Sequence, residues 1–254
     1  MGNLDKQKDT ARAAVIRQAL SVSLATGLYG ISFGALAITA GLTMWQTMAL
    51  SLLMFTGGSQ FAFIGVIGAG GQAAAAIATS GLLGIRNGLY GVQLGPLLAI
   101  EGWKRVLAAQ LTIDESTAVS TAQTTRPLRR LGFWWAGAGV FIGWNTFTFV
   151  GALAGNALGN PKAWGLDAAA AAAFLALLWP RLARPAAQAC AALAAVIACV
   201  LVPFTPAGVP VLGAGLAAII VGAWDARRTP NPTPPSNPSA EPPSPDNQEG
   251  LAHE

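Results

Sequence analysis

The stretch WQTMALSLLMFTGGSQFAFIGVIGAGG, from Trp45 to Gly71, decides how this chain must fold. It holds no charged residue and exceeds the roughly 20 apolar residues that a bilayer-spanning helix needs. In its middle, residues 56–60 read TGGSQ, and each glycine weakens a helix interior by about 1 kcal/mol relative to alanine. Two interpretations follow: a helix that is broken at Gly57 and Gly58 beside a wet cavity, or an ordinary helix whose glycines admit a close neighbour.

The composition places the rest of the chain in a membrane. Hydrophobic residues make up 53% of the chain and charged residues 10%, whereas about a quarter of the residues in soluble domains are charged. We therefore expect an all-α polytopic membrane protein with about six spanning helices plus a broken or re-entrant helical segment at 45–71. The predicted organisation has three parts: a cytoplasmic N-terminal tail (1–14), a transmembrane domain (15–226) and a disordered Pro-rich C-terminal tail (227–254). The last three spans of the transmembrane domain are expected near 163–180, 186–203 and 207–224.

The placement of basic residues favours a broken segment. Lys and Arg cluster before the first span, within 101–130, near 181–184 and at 227–228, while the turns near 41–44, 68–72 and 203–206 carry none. The positive-inside rule puts these clusters, and both termini, in the cytoplasm. Three full crossings before residue 101 would put the cluster in 101–130 outside. A segment that enters and leaves on one side removes this conflict, and an inverted repeat with another broken helix would serve equally well.

Three charged residues are candidates for a functional role. Arg86 is well inside the apolar run 73–100, where a charge is costly unless it is paired or wet, so we expect it to be essential. The sequence leaves open whether Arg86 is a structural tether or a substrate contact. Asp114 and Glu115 lie in the amphipathic stretch 101–130, which is expected either at the membrane surface or dipping into the bundle. Both acids should face protein or water.

The chain lacks the residues that several classes of enzyme and metalloprotein need. The only histidine is His253, in the tail, and Cys190 and Cys199 would lie about 13 Å apart along a helix, too far for a disulfide. No GxxxxGK[ST] motif occurs, and the GxGxxA match at 68–73 has no acidic residue about 20 positions later. We therefore expect no enzyme, no metal and no cofactor. The basic excess reports membrane topology rather than binding to nucleic acid.

Five stretches, taken together and in this order, resemble the AzlC family. They are LYGISFGALAITAGLT (28–43), SLLMFTGGSQFAFIG (51–65), IRNGLYGVQLGP (85–96), LTIDESTA (111–118) and GALAGNALGNPKAWGLD (151–167). The resemblance implies export of branched-chain and similar neutral amino acids across the cytoplasmic (inner) membrane. It also implies a small hydrophobic AzlD-type membrane subunit as partner. Asn87 stands where many family members carry His, so a proton role is not carried over to this position.

A mechanism can be outlined from the residues themselves. Free backbone amides at the start of a half-helix suit a substrate carboxylate, and Asp114 or Glu115 would hold the ammonium or a coupling proton. The expected substrate-binding residues are Gly57, Gly58, Ser59, Gln60, Tyr29, Ser32 and Asn145, and those expected for coupling or charge pairing are Arg86, Asn87, Asp114 and Glu115. The alternative is a passive small-solute channel or a non-transporting membrane assembly subunit, whose helix breaks only enable packing.

Overall fold

The computed structural model describes residues 2–157, 175 and 178–228, and this part of the chain is all-helical, as predicted. Its helices are α1 (Gly2–Thr39), α2 (Met44–Leu53), α3 (Gly57–Gly68), α4 (Ala73–Leu98), α5 (Lys104–Gln110), α6 (Asp114–Thr121), α7 (Arg126–Ala157), a 3-10 helix (Trp179–Ala183), α8 (Pro185–Leu201) and α9 (Val209–Arg228). The predicted span at 163–180 lies mostly outside the described residues. Nearly all of the C-terminal tail, 229–254, lies outside them as well.

Two of the described helices are long and apolar enough to cross a membrane. These segments are Lys6–Thr39 in α1 and Arg126–Gly155 in α7. Shorter apolar helices occur at Gly57–Gly68, Pro185–Leu201 and Val209–Asp225. The polar start of the chain, predicted as a separate tail, is helical and continuous with the first apolar segment from residue 2 onward.

The helices α1 and α7 lie side by side and run parallel, held close by glycines. A Cβ added to Gly30 would stand 2.7 Å from the carbonyl oxygen of Trp144, a separation that real Cβ atoms essentially never show. One turn further along α1, Gly34 lies directly against the backbone of Thr148. Small residues allow the two backbones to approach this closely. In a membrane, where no hydrophobic effect drives helices together, the resulting van der Waals contact stabilises their association.

The helices α2 and α3 are the two halves of a broken helix that returns to its starting end. Residues 54–56 between them are not helical. The predicted break is therefore present, but it lies just before Gly57 and Gly58, which are the first residues of α3. The start of α2 follows α1 directly. The far end of α3 comes back to the same place, because a Cβ on Gly68 would lie 3.2 Å from the Cβ of Ala40. We call α2 and α3 the first hairpin.

The helices α5 and α6 form a second hairpin, which enters from the opposite end of the bundle. The end of α4 lies beside the start of α7, where Arg130 donates to the carbonyl oxygens of Leu98 and Ala99 at 2.6 Å each. The chain leaves from there into α5. It returns to the same end after α6, where Gln123 Nε2 donates to Gln18 Oε1 at 3.2 Å. Of the two predicted alternatives, this stretch dips into the bundle.

The tips of the two hairpins meet inside the bundle. Across them, Gln110 Nε2 of α5 donates to the carbonyl oxygen of Leu52 in α2 at 2.9 Å. Phe55 from the first tip and Ile113 from the second belong to one buried apolar cluster, which also contains Trp144. Each hairpin therefore reaches only part of the way through the molecule.

The described basic residues, apart from Arg86, gather at one end of the bundle, which we call the basic end. It comprises the starts of α1, α5, α7 and α8 and the end of α9. The opposite end holds the turns 40–43, 69–72 and 202–208, and we call it the uncharged end because the residues described there carry no charge. Thr79 Oγ1 donates to the carbonyl oxygen of Gly208 at 3.5 Å, and Gly215 lies against Leu82. The start of α9 therefore lies at the uncharged end, and α9 follows α4 toward the basic end.

The helices α1 and α4 run in opposite directions and carry the same motif. It reads GLYG-x-x-x-G-x-L at 27–36 and again at 88–97. Each helix leads into a hairpin, and each motif tyrosine contacts the second half of that hairpin. Tyr29 packs on Phe61 with ring centroids 5.3 Å apart, and the Tyr90 hydroxyl donates to Asp114 at 2.6 Å. The two units form an inverted pair, the arrangement considered above as an alternative to a lone re-entrant segment.

Candidate functional site

A cavity of about 300 Å³ lies where the two hairpin tips meet. Its walls are mainly apolar and aromatic, with a few charged groups, which is the usual composition of a small-molecule site. The lining residues used below are Thr26 and Tyr29 of α1, Phe55 in the first tip, Gly57, Gly58 and Phe61 of α3, Arg86 of α4, Asp114 and Glu115 of α6, and Trp144 of α7.

An ion pair joins α4 to the second hairpin at the edge of this cavity. Arg86 Nη2 lies 2.9 Å from Asp114 Oδ2, and the two side chains are 31% and 23% exposed. The other carboxylate oxygen, Asp114 Oδ1, accepts a hydrogen bond from the Tyr90 hydroxyl at 2.6 Å. Both oxygens of Asp114 therefore have a strong donor, and its charge is matched by Arg86.

Arg86 also contacts the first hairpin. A Cβ added to Gly58 would lie 2.8 Å from Arg86 Nη2, so the guanidinium rests on the backbone of α3 where any larger residue would displace it. The buried Nε of Arg86 has no hydrogen-bond partner among the described residues. Arg86 thus tethers both hairpins and keeps one donor unused. The geometry is compatible with both roles considered for it above.

The start of α3 presents unpaired backbone donors. Among the described residues, no side chain caps this helix at Thr56, and the first amides of any helix have no acceptor within the helix. The helix dipole adds partial positive charge at this point. Because Gly57 and Gly58 have no side chains to cover these amides, a carboxylate can approach them closely.

The start of α6 has the opposite chemistry. Asp114 and Glu115 are its first two residues, in the places that Gly57 and Gly58 occupy in α3. Glu115 is half-buried and lines the cavity, and Thr26 Oγ1 donates to its Oε1 at 3.4 Å. The two tips therefore offer donors on one side of the cavity and carboxylates on the other.

Gln60, predicted as a substrate contact, lies outside the cavity lining and holds the helix break together. Its side chain is fully buried. Its Nε2 lies 2.7 Å from the carbonyl oxygen of Met54, with those of Leu50 and Ser51 at 3.3 Å. Its Oε1 accepts from Trp144 Nε1 at 2.9 Å. This one amide thus donates to three carbonyls at the end of α2, where helical partners run out; those of Leu50 and Met54 also accept from the backbone amides of Met54 and Thr56.

The structure brings together some of the expected site residues and separates others. Tyr29, Gly57, Gly58, Arg86, Asp114 and Glu115 line the cavity, whereas Ser32, Ser59, Asn87 and Asn145 do not. Asn145 Nδ2 donates to the Phe141 carbonyl oxygen of its own helix at 2.8 Å. Thr26, Trp144 and Tyr90 were missed. The repeated GLYG motif could have identified Tyr90, because Tyr90 occupies the same place in the second copy of the motif as Tyr29 does in the first.

Replacing Gln60 with Leu is expected to destabilise the protein rather than to change its ligand specificity. The change removes the partner of the buried Trp144 indole and the Gln60 donor to the carbonyl oxygen of Ser51, and a buried unsatisfied group costs about 1–3 kcal/mol. Thermal unfolding of the purified full chain in detergent measures the loss. Gln93→Leu, at an exposed position of α4, is the matched control and should unfold like the wild type. Equal midpoints for the two variants would contradict the assignment.

The sequence model of the family described as AzlC protein matches residues 21–158. This region contains both hairpins and every residue that lines the cavity. No curated protein and no solved structure matches the chain. Because the family match covers more than half of the 254 residues, this protein belongs to the AzlC family, which is generally associated with branched-chain amino-acid transport.

Proposed function

We propose that this chain is the large subunit of a secondary transporter that exports branched-chain and similar neutral amino acids. One observation carries the proposal: two opposed half-helix starts border a single cavity, one with bare glycine amides and the other with two carboxylates. Arg86 lies between them. Discontinuous helices that point their N-termini at a substrate carboxylate are a recurring transporter design.

A zwitterionic amino acid fits this distribution of charge in one orientation. Its carboxylate would accept hydrogen bonds from the amides at Gly57 and Gly58 and from Arg86, since helix N-termini and guanidinium groups both favour anions. Its ammonium would face Glu115. The opposite orientation would bring the carboxylate against the two acids of α6, which like-charge repulsion disfavours.

The remaining walls suit an aliphatic side chain. Phe55, Phe61 and Trp144 contribute apolar and aromatic surface to the cavity, and Tyr29 contributes its ring. The charges that line the cavity in the described part of the chain are Arg86, Asp114 and Glu115, so none is left over for a charged substrate side chain. Apolar burial then contributes roughly 25 cal/mol for each Å² removed from water, which favours branched aliphatic substrates over small polar ones.

The proposed topology has six spans and two re-entrant hairpins in the cytoplasmic membrane. The spans are α1, α4, α7, the segment near 163–180, α8 and α9. The positive-inside rule assigns the basic end, and with it both termini, to the cytoplasm. The first hairpin then enters from outside and the second from the cytoplasm. Their non-helical tips lie inside the protein beside a cavity, where broken backbone is tolerated.

A small hydrophobic membrane subunit of the AzlD type is the proposed partner. One face of α4 supports this assignment. Gly81, Gly88 and Gly95 each have open space where a Cβ would stand, and Ile85 and Val92 between them are 59% and 77% exposed. Alternating small and branched residues form the kind of surface on which a second transmembrane helix packs closely.

The test of the proposed function uses two glycines of α3. Gly58→Leu is expected to push the Arg86 guanidinium off the backbone of α3 and to lower valine and isoleucine efflux at least tenfold. The chain should still fold, because the displaced atoms are the far end of a flexible side chain. Gly65→Leu, where the structure shows open space, should retain wild-type efflux. Efflux is measured from preloaded cells, and membrane levels of each variant are compared.

Two outcomes would count against this function. Unimpaired efflux by folded Gly58→Leu would refute the assignment of the cavity. A wild-type efflux rate that rises linearly with internal valine, without saturation, and that does not respond when ion gradients are collapsed, would favour the passive channel. Expression with and without the small subunit in the same assay tests the proposed partnership.

A further inference from the structure

We propose that Glu115 is the proton-coupling group of the transporter, binding either a proton or the substrate ammonium but not both at once. The inference rests on the proposed function, because it assigns the chemistry of the same cavity. It gives the transport cycle a direction: an amino acid leaves the cell as a proton enters through the same carboxylate.

The neighbouring acid cannot take this role. Asp114 has Arg86 at 2.9 Å on one oxygen and the Tyr90 hydroxyl at 2.6 Å on the other. Protonating it would break an ion pair and leave Arg86 as an unmatched charge inside the bundle, which is costly. Asp114 therefore stays ionised throughout the cycle and keeps α4 joined to the second hairpin.

Glu115 has no such partner. Within the part of the chain that the structure describes, no cation lies within salt-bridge distance of it. Its contacts are the Thr26 hydroxyl, at 3.4 Å, and its own backbone amide. The charged or titratable groups around it are Asp114 on the same helix, Arg86 and Tyr90 on α4, and Tyr29 on α1. Arg86 is already matched by Asp114, so an ionised Glu115 has no cation of its own among the residues described at the cavity.

The negative charge of Glu115 can be balanced in two ways. A proton from water neutralises it, or an ammonium group from an amino acid pairs with it. The two occupants need the same oxygens, so each excludes the other. Competition of this kind couples the two fluxes: release of the amino acid outside allows Glu115 to take a proton, and release of that proton inside restores the binding form.

Counting charges gives the electrical consequence. With a zwitterion bound, Arg86, Asp114 and Glu115 sum to minus one, and with a proton on Glu115 they sum to zero. The loaded protein therefore moves one negative charge outward, and the empty protonated protein returns neutral. An inside-negative membrane potential favours this export, in addition to any pH difference across the membrane.

The test measures valine binding to the purified full chain, with its small subunit where binding requires it, between pH 5 and pH 8. Free valine remains a zwitterion over this range, so any pH dependence belongs to the protein. We expect the wild-type affinity to fall as pH falls, approaching about tenfold per pH unit once Glu115 is protonated without ligand. Glu115→Gln should bind at least tenfold more weakly and show no pH dependence. Glu101→Gln, an exposed acid at the basic end, should behave as wild type.

Transport by the wild type provides a second, independent test of proton coupling. In proteoliposomes with equal pH on both sides, a potassium diffusion potential should drive valine efflux, with one charge moved per valine. If Glu115→Gln binds valine too weakly to measure, this experiment still tests the proton-coupling role, because it uses the wild type. Electroneutral efflux, or a wild-type affinity that is flat with pH, would overturn the proton-coupling role. A wild type that neither binds nor exports valine at any pH would instead overturn the proposed function.

Discussion

Replacing Arg86 with Gln is expected to reduce valine efflux at least a hundredfold, the largest functional loss of any single change considered. Arg86 touches both the first hairpin, at Gly58, and the second, at Asp114. Gln keeps some hydrogen-bonding capacity but loses the charge. Asp114 then loses its ion-pair partner while Glu115 stays beside it, and breaking a partly exposed ion pair from one side costs roughly 2–4 kcal/mol.

The double variant Arg86→Gln with Asp114→Asn separates structure from transport. It removes both charges together, so the folded protein should return to near wild-type levels in the membrane while efflux stays low. If Arg86 were only a structural tether, efflux should recover together with folding. Arg105→Gln, at an exposed position of the basic end, is the control for general loss of positive charge. Efflux and membrane abundance are measured on the same samples, and wild-type efflux by Arg86→Gln would contradict the site.

The break in the first hairpin was predictable because its cause is local. Two adjacent glycines in an uncharged apolar stretch weaken a helix wherever they occur, and the positions of Lys and Arg favoured a segment that returns to its starting end. The structure shows both the break and the return. The exact tip, at 54–56, was less predictable, because the Gln60 side chain holds it by donating to carbonyls at the end of α2.

Roles of single polar residues were harder to predict, since a buried amide serves a ligand and a backbone carbonyl equally well. Gln60 and Asn145 looked like substrate contacts because they are polar groups within apolar runs, and in the structure they bond to protein. Arg86, Asp114 and Glu115 were easier to place in a site. A charge inside a bundle needs a partner or a wet cavity. The structure supplies an ion pair for Arg86 and Asp114 and a place in the cavity lining for Glu115.

The second hairpin could have been predicted only by comparing two parts of the chain with each other. Its sequence, 104–121, is short and polar and does not resemble a membrane segment by composition. The motif shared by α1 and α4 relates it to the first hairpin. Once Tyr29 and Tyr90 are aligned, each marks a helix that leads into a broken segment, and the start of α6 corresponds to the start of α3.

The duplicated motif also provides the sharpest test of the packing, because Gly30 and Gly91 occupy the same place in GLYG yet meet different surroundings. Gly30→Leu is expected to prevent α1 from packing on α7. Its Cβ would lie 2.7 Å from the Trp144 carbonyl oxygen and 3.2 Å from the Thr148 amide nitrogen, and backbone atoms of a long helix cannot move aside. Overpacking a core typically costs 1–3 kcal/mol, and a backbone collision in the longest interface of the fold should exceed roughly 3 kcal/mol.

Gly91→Leu should do the opposite. The structure shows no atom within 4 Å of a Cβ at this position, and leucine favours a helix interior by nearly 1 kcal/mol over glycine. The purified chain, unfolded thermally in detergent without the small subunit, should therefore lose its cooperative transition with Gly30→Leu and keep or slightly raise its midpoint with Gly91→Leu. Equal stability of the two variants would contradict the parallel packing of α1 on α7. Since that packing holds Trp144 against Gly57 and Gln60, it would also remove the physical basis for placing the cavity between the hairpin tips.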